Sequence, residues 1–101
     1  MDTVIYNTLK EEKQRNLERQ EIYRSEIEGL RKGKIIVKMR SGKPYHYLLY
    51  RDGDKVKTDY IGADDNKVQE IKREIERRKY VQGVLERLKI EYKQISKIVK
   101  E

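Results

Sequence analysis

Hydrophobic positions follow three regimes along the chain. Over residues 1–33, Leu9, Leu17, Tyr23, Ile27 and Leu30 approximate a helical stripe, and no Pro or Gly intervenes before Gly29. A run spaced by threes and fours passes through Leu9, Lys13, Asn16, Gln20, Tyr23, Ile27 and Leu30. Its middle members are polar, so it makes a poor coiled-coil seam and is expected to be solvated between Leu9 and Tyr23. Asp2 or Thr3 is placed to cap the start. Gly33, following Arg31 and Lys32, is placed to end the helix in a left-handed conformation.

From residue 34 the period becomes two. Lys34-Ile35-Ile36-Val37-Lys38-Met39-Arg40 is rich in strand formers, Ser41-Gly42-Lys43-Pro44 is a turn signal, and Tyr45 to Arg51 reads as a second strand. Asp52-Gly53 is a hairpin signal, and Lys55 to Ile61 makes a third strand stopped by Gly62. The prediction for residues 34–62 is a three-stranded antiparallel meander. If both loops are even, Lys34, Ile36, Lys38 and Arg40 share a face with Tyr45, Tyr47, Leu49, Val56, Thr58 and Tyr60. Ile35, Val37, Met39, His46, Leu48, Tyr50, Lys55, Lys57, Asp59 and Ile61 take the other. One face is then apolar, with Leu48 and Val37 buried together, and one is basic and tyrosine-bearing. An odd first loop reverses the first strand.

Residues 63–101 return to the helical period. Ala63-Asp64-Asp65-Asn66 is a loop with Asp64 or Asp65 as N-cap. Val68, Ile71 and Ile75 form one stripe; Val81, Leu85, Leu88, Tyr92, Ile95 and Val99 form another. The phase slips between them, close to Gly83, so one bent helix and two helices both fit. The second stripe is a packing seam for the first helix, the sheet, or a second copy, which would make a homodimer through the C-terminal helix. The predicted fold is α+β in a single domain over residues 1–101: long helix, meander, long helix.

Composition narrows what this fold can do. Of 101 residues, 43% are charged and 36% hydrophobic, against ~25% and ~45–50% in an average globular chain. A thick core is not expected. The net charge is +7, and all of the excess falls after residue 33: residues 34–62 hold seven basic and three acidic groups, residues 63–101 eleven and eight. Such a chain favours acidic partners. There is no cysteine, so thiol chemistry and thiolate metal sites are excluded and a reducing compartment fits. No apolar run approaches the ~18 residues needed to cross a membrane, and the N-terminus lacks the pattern of a signal peptide. A cytoplasmic protein without membrane attachment is expected.

Catalytic chemistry has little to build on. His46, the only histidine, sits mid-strand; Asp52 and Asp54 flank a hairpin glycine; Ser25, Ser41 and Ser96 lack a base at a telling spacing. No phosphate-cradling glycine loop follows a strand, and no cofactor or metal is implied. Basic groups interleaved with aromatics are the stronger signal. All eight aromatic residues are Tyr. Lys34, Lys38, Arg40, Lys43, Arg51, Lys55 and Lys57 lie in or beside the meander with Tyr45, Tyr47, Tyr50 and Tyr60. Tyr rings stack on bases while Lys and Arg neutralise phosphates. A second cluster, Lys72, Arg73, Arg77, Arg78 and Lys79, lies on the last helix and is offered as part of the same binding surface.

The run Gly33-Lys34, Gly42-Lys43-Pro44-Tyr45-His46-Tyr47-Leu48, Tyr50-Arg51-Asp52-Gly53-Asp54-Lys55-Val56 and Tyr60-Ile61-Gly62 resembles a small uncharacterised domain of phage, plasmid and integrative-element proteins in Firmicutes. A similar Tyr-rich hairpin ending in Tyr-Ile-Gly or Tyr-Leu-Gly stands near the N-termini of some transposases. The resemblance implies a mobile-element setting and contact with nucleic acid, RNA or DNA, by a non-enzymatic binding protein. It implies an alternative as well: an anti-CRISPR-type inhibitor of an RNA-guided nuclease complex, acting by protein or guide-RNA contact. The basic charge disfavours DNA mimicry in such an inhibitor.

Overall fold

The structure, a computed structural model, describes residues 3–100. Helix α1 spans Thr3–Glu28; strands β1 (Lys34–Arg40), β2 (Lys43–Asp52) and β3 (Lys55–Gly62) follow; helix α2 spans Asp65–Ile98. The α+β order of helix, meander and helix is as the sequence predicts. Asp2, a candidate cap of α1, lies outside the described residues. Two compact units are formed: one by residues 30–79, the other by α1 with α2 from Tyr80 onward.

In the first unit the strands pair antiparallel in the order β1-β2-β3. Arg40 pairs with Lys43 and Asp52 with Lys55, so both loops have two residues. Ser41 and Gly42 both take positive φ, 52° and 75°, as a type I′ turn requires; in the second loop Gly53 does so at 62°. The expected four-residue Ser41–Pro44 loop is therefore corrected to Ser41-Gly42, with Pro44 inside β2 at the edge-pairing end. A shift of two leaves every side chain on its expected face. The second loop is likewise Gly53-Asp54, one position later than its sequence signal.

The helix covers the Leu48 face. Leu48, Ile61, Val68, Ile71 and Ile75 form a buried cluster, with Ile35 and Tyr50 packed against it. Each such side chain contributes roughly 1.5–3 kcal/mol by leaving water. Val37 shares this face but is 53% exposed, contrary to expectation. The apolar stripe of α2 reaches Leu48, Ile61 and Ile35, and Val37 lies two residues further along β1. Asp64 caps α2: its Oδ1 accepts from the Asn66 amide at 2.9 Å and its carbonyl from the Val68 amide at 3.1 Å. Past Gly83, α2 continues without a break, which decides for one helix.

Helix α1 ends at Glu28, earlier than Lys32. The Gly29 amide bonds back to the Glu26 carbonyl at 3.1 Å, a tightened last turn. Side chains of α2 then catch the departing chain. Arg78 Nη1 donates to the Leu30 carbonyl at 2.8 Å, and Glu74 pairs with the Arg31 guanidinium while accepting from its amide at 3.3 Å. Gly33 does not cap the helix; it admits β1 to the sheet. Its φ is +125°, and a Cβ there would lie 2.3 Å from the Leu49 carbonyl oxygen.

The second unit corrects the reading of α1. Asn16 and Gln20, expected in water, are the most buried described residues of α1 at 2% and 6% exposure. Leu9, Lys13, Tyr23 and Ile27 are half-buried on the same seam. Their partners are in α2 and just past its end, where Val81, Leu85, Leu88, Ile95 and then Val99 are buried, so this stripe is covered within the chain. Lys13 Nζ donates to the Val99 carbonyl at 3.0 Å, satisfying an acceptor left over at the helix end, and sits 5.4 Å from the Tyr92 ring centre. Polarity did not place this seam in solvent because each amide finds a partner inside.

Candidate functional site

The sheet face turned away from Val68, Ile71 and Ile75 carries the tyrosines. The register puts Lys34, Ile36, Lys38 and Arg40 of β1 beside Lys43, Tyr45, Tyr47, Leu49 and Arg51 of β2, then Val56, Thr58 and Tyr60 of β3. Every cation that parity assigns to this face arrives, while Lys55 and Lys57, named with the basic groups of the meander, project from the opposite side, where parity put them. Lys57 is held there by Asp52, with Nζ 2.6 Å from Oδ2. No carboxylate of the three strands lies on the tyrosine face: Asp52 and Asp59 alternate to the other side.

At the centre of this face the rings gather. Tyr60 pairs directly with Tyr47, with ring centres 5.3 Å apart, and Tyr45 approaches Tyr60 at 6.3 Å. Lys38 Nζ stands 5.0 Å from the Tyr47 ring centre, an attraction between cation and ring quadrupole. Tyr60 is 59% exposed. Arg40 and Ser41 join the three rings around an open depression. Ser41 was missed as a lining residue; the Ser-Gly dipeptide between two strand-forming runs is the signal that would have placed it at a two-residue turn.

A β-bulge helps build this surface. The register slips between His46 and Tyr47, so that His46 faces Gly62 while Tyr47 faces Tyr60. The extra residue, Ile61, drops into the core, and Tyr60 stays on the open side. His46 Nδ1 lies 3.2 Å from the Gly62 carbonyl. A carbonyl only accepts, so this nitrogen carries its hydrogen and the ring closes the end of the β2–β3 ladder. Tyr50, on the helix side, has its hydroxyl held above the usual tyrosine range, first by desolvation and then by the Asp59 carboxylate.

The helix cluster divides. Lys72 and Lys79 line a depression with Gly33, Lys34 and Ile35 at the start of β1. Arg73 lies in another, with Asp64, Lys67 and Glu70. Arg78 turns inward to Leu30, and Arg77 is exposed but engaged. Glu76 shares this depression, so Lys72 and Lys79 add cations beside the start of β1 next to one carboxylate, whereas Arg78 is held inward. Among the described residues no group of three or more acidic or histidine side chains is arranged to hold a metal ion, and no helix is long and apolar enough to cross a membrane.

A family described as a domain of unknown function (DUF6788) matches residues 8–73, more than half of the chain. The matched stretch contains most of α1, the whole meander and the first turns of α2, with Val68 and Ile71 but not Ile75. No curated protein and no solved structure matches the chain.

Proposed function

The chain belongs to this uncharacterised family, and we propose that it is a nucleic-acid-binding protein whose contact surface is the open face of the meander. One observation carries the reading. Three clustered tyrosines occupy a face that holds Lys34, Lys38, Arg40, Lys43 and Arg51 and no strand carboxylate. Such a face attracts a polyanion along its length and offers aromatic surface at its centre. Lys72 and Lys79 add to the rim from α2. The proposed role is binding: the face holds cations, rings, aliphatic groups and the Thr58 hydroxyl, with no strand carboxylate or imidazole beside them.

The test is fluorescence anisotropy of the full chain with short RNA and DNA over a salt series. With four phosphates neutralised, log affinity should fall with log salt at a slope near ~3. Charge reversal at Lys38 should weaken binding well beyond the same change at Lys57, which has the same charge on the opposite face. Absence of binding at low salt, together with a stable complex with an RNA-guided nuclease protein, would instead favour the inhibitor that the sequence resemblance implied.

A further inference from the structure

Resting on that reading, we infer that the open face takes single-stranded nucleic acid, with bases stacked on the Tyr45, Tyr60 and Tyr47 rings and phosphates on the flanking cations. The argument lies in what the centre of the face contains and what it lacks. Duplex bases are already stacked and offer only their edges, which are read by amide and guanidinium groups reaching into a groove. Here the centre is Tyr45, Tyr47 and Tyr60, floored by Ile36, Leu49 and Thr58. No side-chain amide stands among them, and the one guanidinium at the depression, that of Arg40, lies at its Ser41-Gly42 end. An unstacked base needs only a π surface, and every base has one to return.

The geometry of the rings fits this use. Their planes are inclined at 55° for Tyr47–Tyr60 and 34° for Tyr45–Tyr60, so the three do not close into a stack that satisfies itself. Tyr60 keeps more than half of its surface in water. The cations are spread along the face, with Lys38 Nζ 5.0 Å from the Tyr47 ring centre and the others towards its two ends. Arg40 and Lys43 are at the Ser41-Gly42 end, Lys34 and Arg51 towards the other, and Lys38 lies between. From Lys34 to Arg40 is ~20 Å along the strand, the reach of a short single strand of a few nucleotides.

The experiment compares labelled oligo-U, oligo-dT and a duplex, each of about ten units, for binding to the full chain at two salt concentrations. Either single strand should bind at least about tenfold more tightly than the duplex. The ratio of the two single strands identifies the sugar that the face prefers. Tyrosine emission should fall on binding, with no Trp present to mask it. Tyr60→Ser should cost single-strand affinity roughly 5- to 150-fold, while Tyr60→Phe, which keeps the ring, should stay within about twofold. Tyr45→Ser supplies a second variant if circular dichroism shows Tyr60→Ser to be misfolded.

Duplex binding as tight as single-strand binding overturns the inference and leaves the nucleic-acid reading standing. So does unchanged single-strand affinity in both folded serine variants, even where Lys38→Glu weakens binding. Failure of all three probes to bind at low salt removes the reading and the inference together.

Discussion

The Asn16 side-chain amide donates to the backbone carbonyl of Leu88 at 2.9 Å, from a residue only 2% exposed. Gln20 Nε2 donates to Asn16 Oδ1 at 2.7 Å, and Arg24 reaches Gln20 Oε1 at 3.4 Å. This relay sits in the middle of the seam, among mainly apolar side chains, and is satisfied only while all its members are present. Asn16→Ala should lower stability by about 1–3 kcal/mol, because it strands the buried Gln20 donor. The double variant Asn16→Leu, Gln20→Leu should recover most of that loss or exceed the parent. Thermal melts of the three proteins, with size measured alongside, provide the comparison. A double variant less stable than Asn16→Ala would refute it.

Two glycines should respond to alanine with opposite signs. At Gly33 the new methyl meets the Leu49 carbonyl oxygen at 2.3 Å in a left-handed backbone, so β1 must shift and the melting temperature should drop. At Gly83, inside α2, nothing lies within 4 Å of an added Cβ. Gly83→Ala should stabilise by roughly 0.8–1 kcal/mol, the ordinary gain for a helix interior.

The sheet core can be tested through its two unequal members. Leu48→Ala should cost about 2–5 kcal/mol by opening a cavity against Val68 and Ile71. Val37→Ala, on the same face but beyond the reach of the helix, should stay within about 0.5 kcal/mol. Urea denaturation of both variants checks the pair.

Arg78 and Lys38 should separate folding from binding. Arg78→Ala removes the donor to the Leu30 carbonyl and should lower the melting temperature while leaving nucleic-acid affinity nearly intact. Lys38→Ala should do the reverse, since Lys38 is exposed and its recorded contact is the Tyr47 ring. Melting curves and anisotropy on the same preparations give both readouts.

Alkaline pH should test Tyr50. Its hydroxyl is raised above the usual 10.0 by desolvation and by Asp59. The folded state therefore favours the protonated phenol. The stabilisation it brings is complete below the unfolded value and is lost as pH climbs through the folded one. Tyr50→Phe should remove that share of the alkaline fall in melting temperature, and tyrosinate absorbance should show one fewer late-titrating phenol.

The sheet was legible in the sequence because its logic is local. Period-two alternation and two Gly-containing turns assign faces by parity. Parity survived a first loop two residues shorter than its composition indicated, since a shift of two returns each side chain to its own side. Distance in sequence hid the rest. The burial of Asn16 depends on a carbonyl 72 positions away, so polarity alone sent it into water. The path of Leu30 and Arg31 depends on Glu74 and Arg78 more than 40 positions on, and the exposure of Val37 on where an apolar stripe runs out. Of the candidate site, the tyrosine face was predicted intact. Lys57, which parity had put on the other face, pairs with Asp52, and Arg78 of the helix cluster turns to the Leu30 carbonyl, partners that a count of charges does not reveal.

The meander has two outer strands and so two rows of backbone groups with no strand beyond them. Bare edges of this kind invite pairing with another molecule, and lysines along them are a common deterrent. Lys34, Lys38 and Arg40 on β1 and Lys55 and Lys57 on β3 hold like charges at both borders. On the proposed reading, the β1 cations that would meet a polyanion also deter pairing of this edge with a second strand. Stripping them for experiment, or masking them with a polyanion, lifts that guard and exposes the strand edges to aggregation.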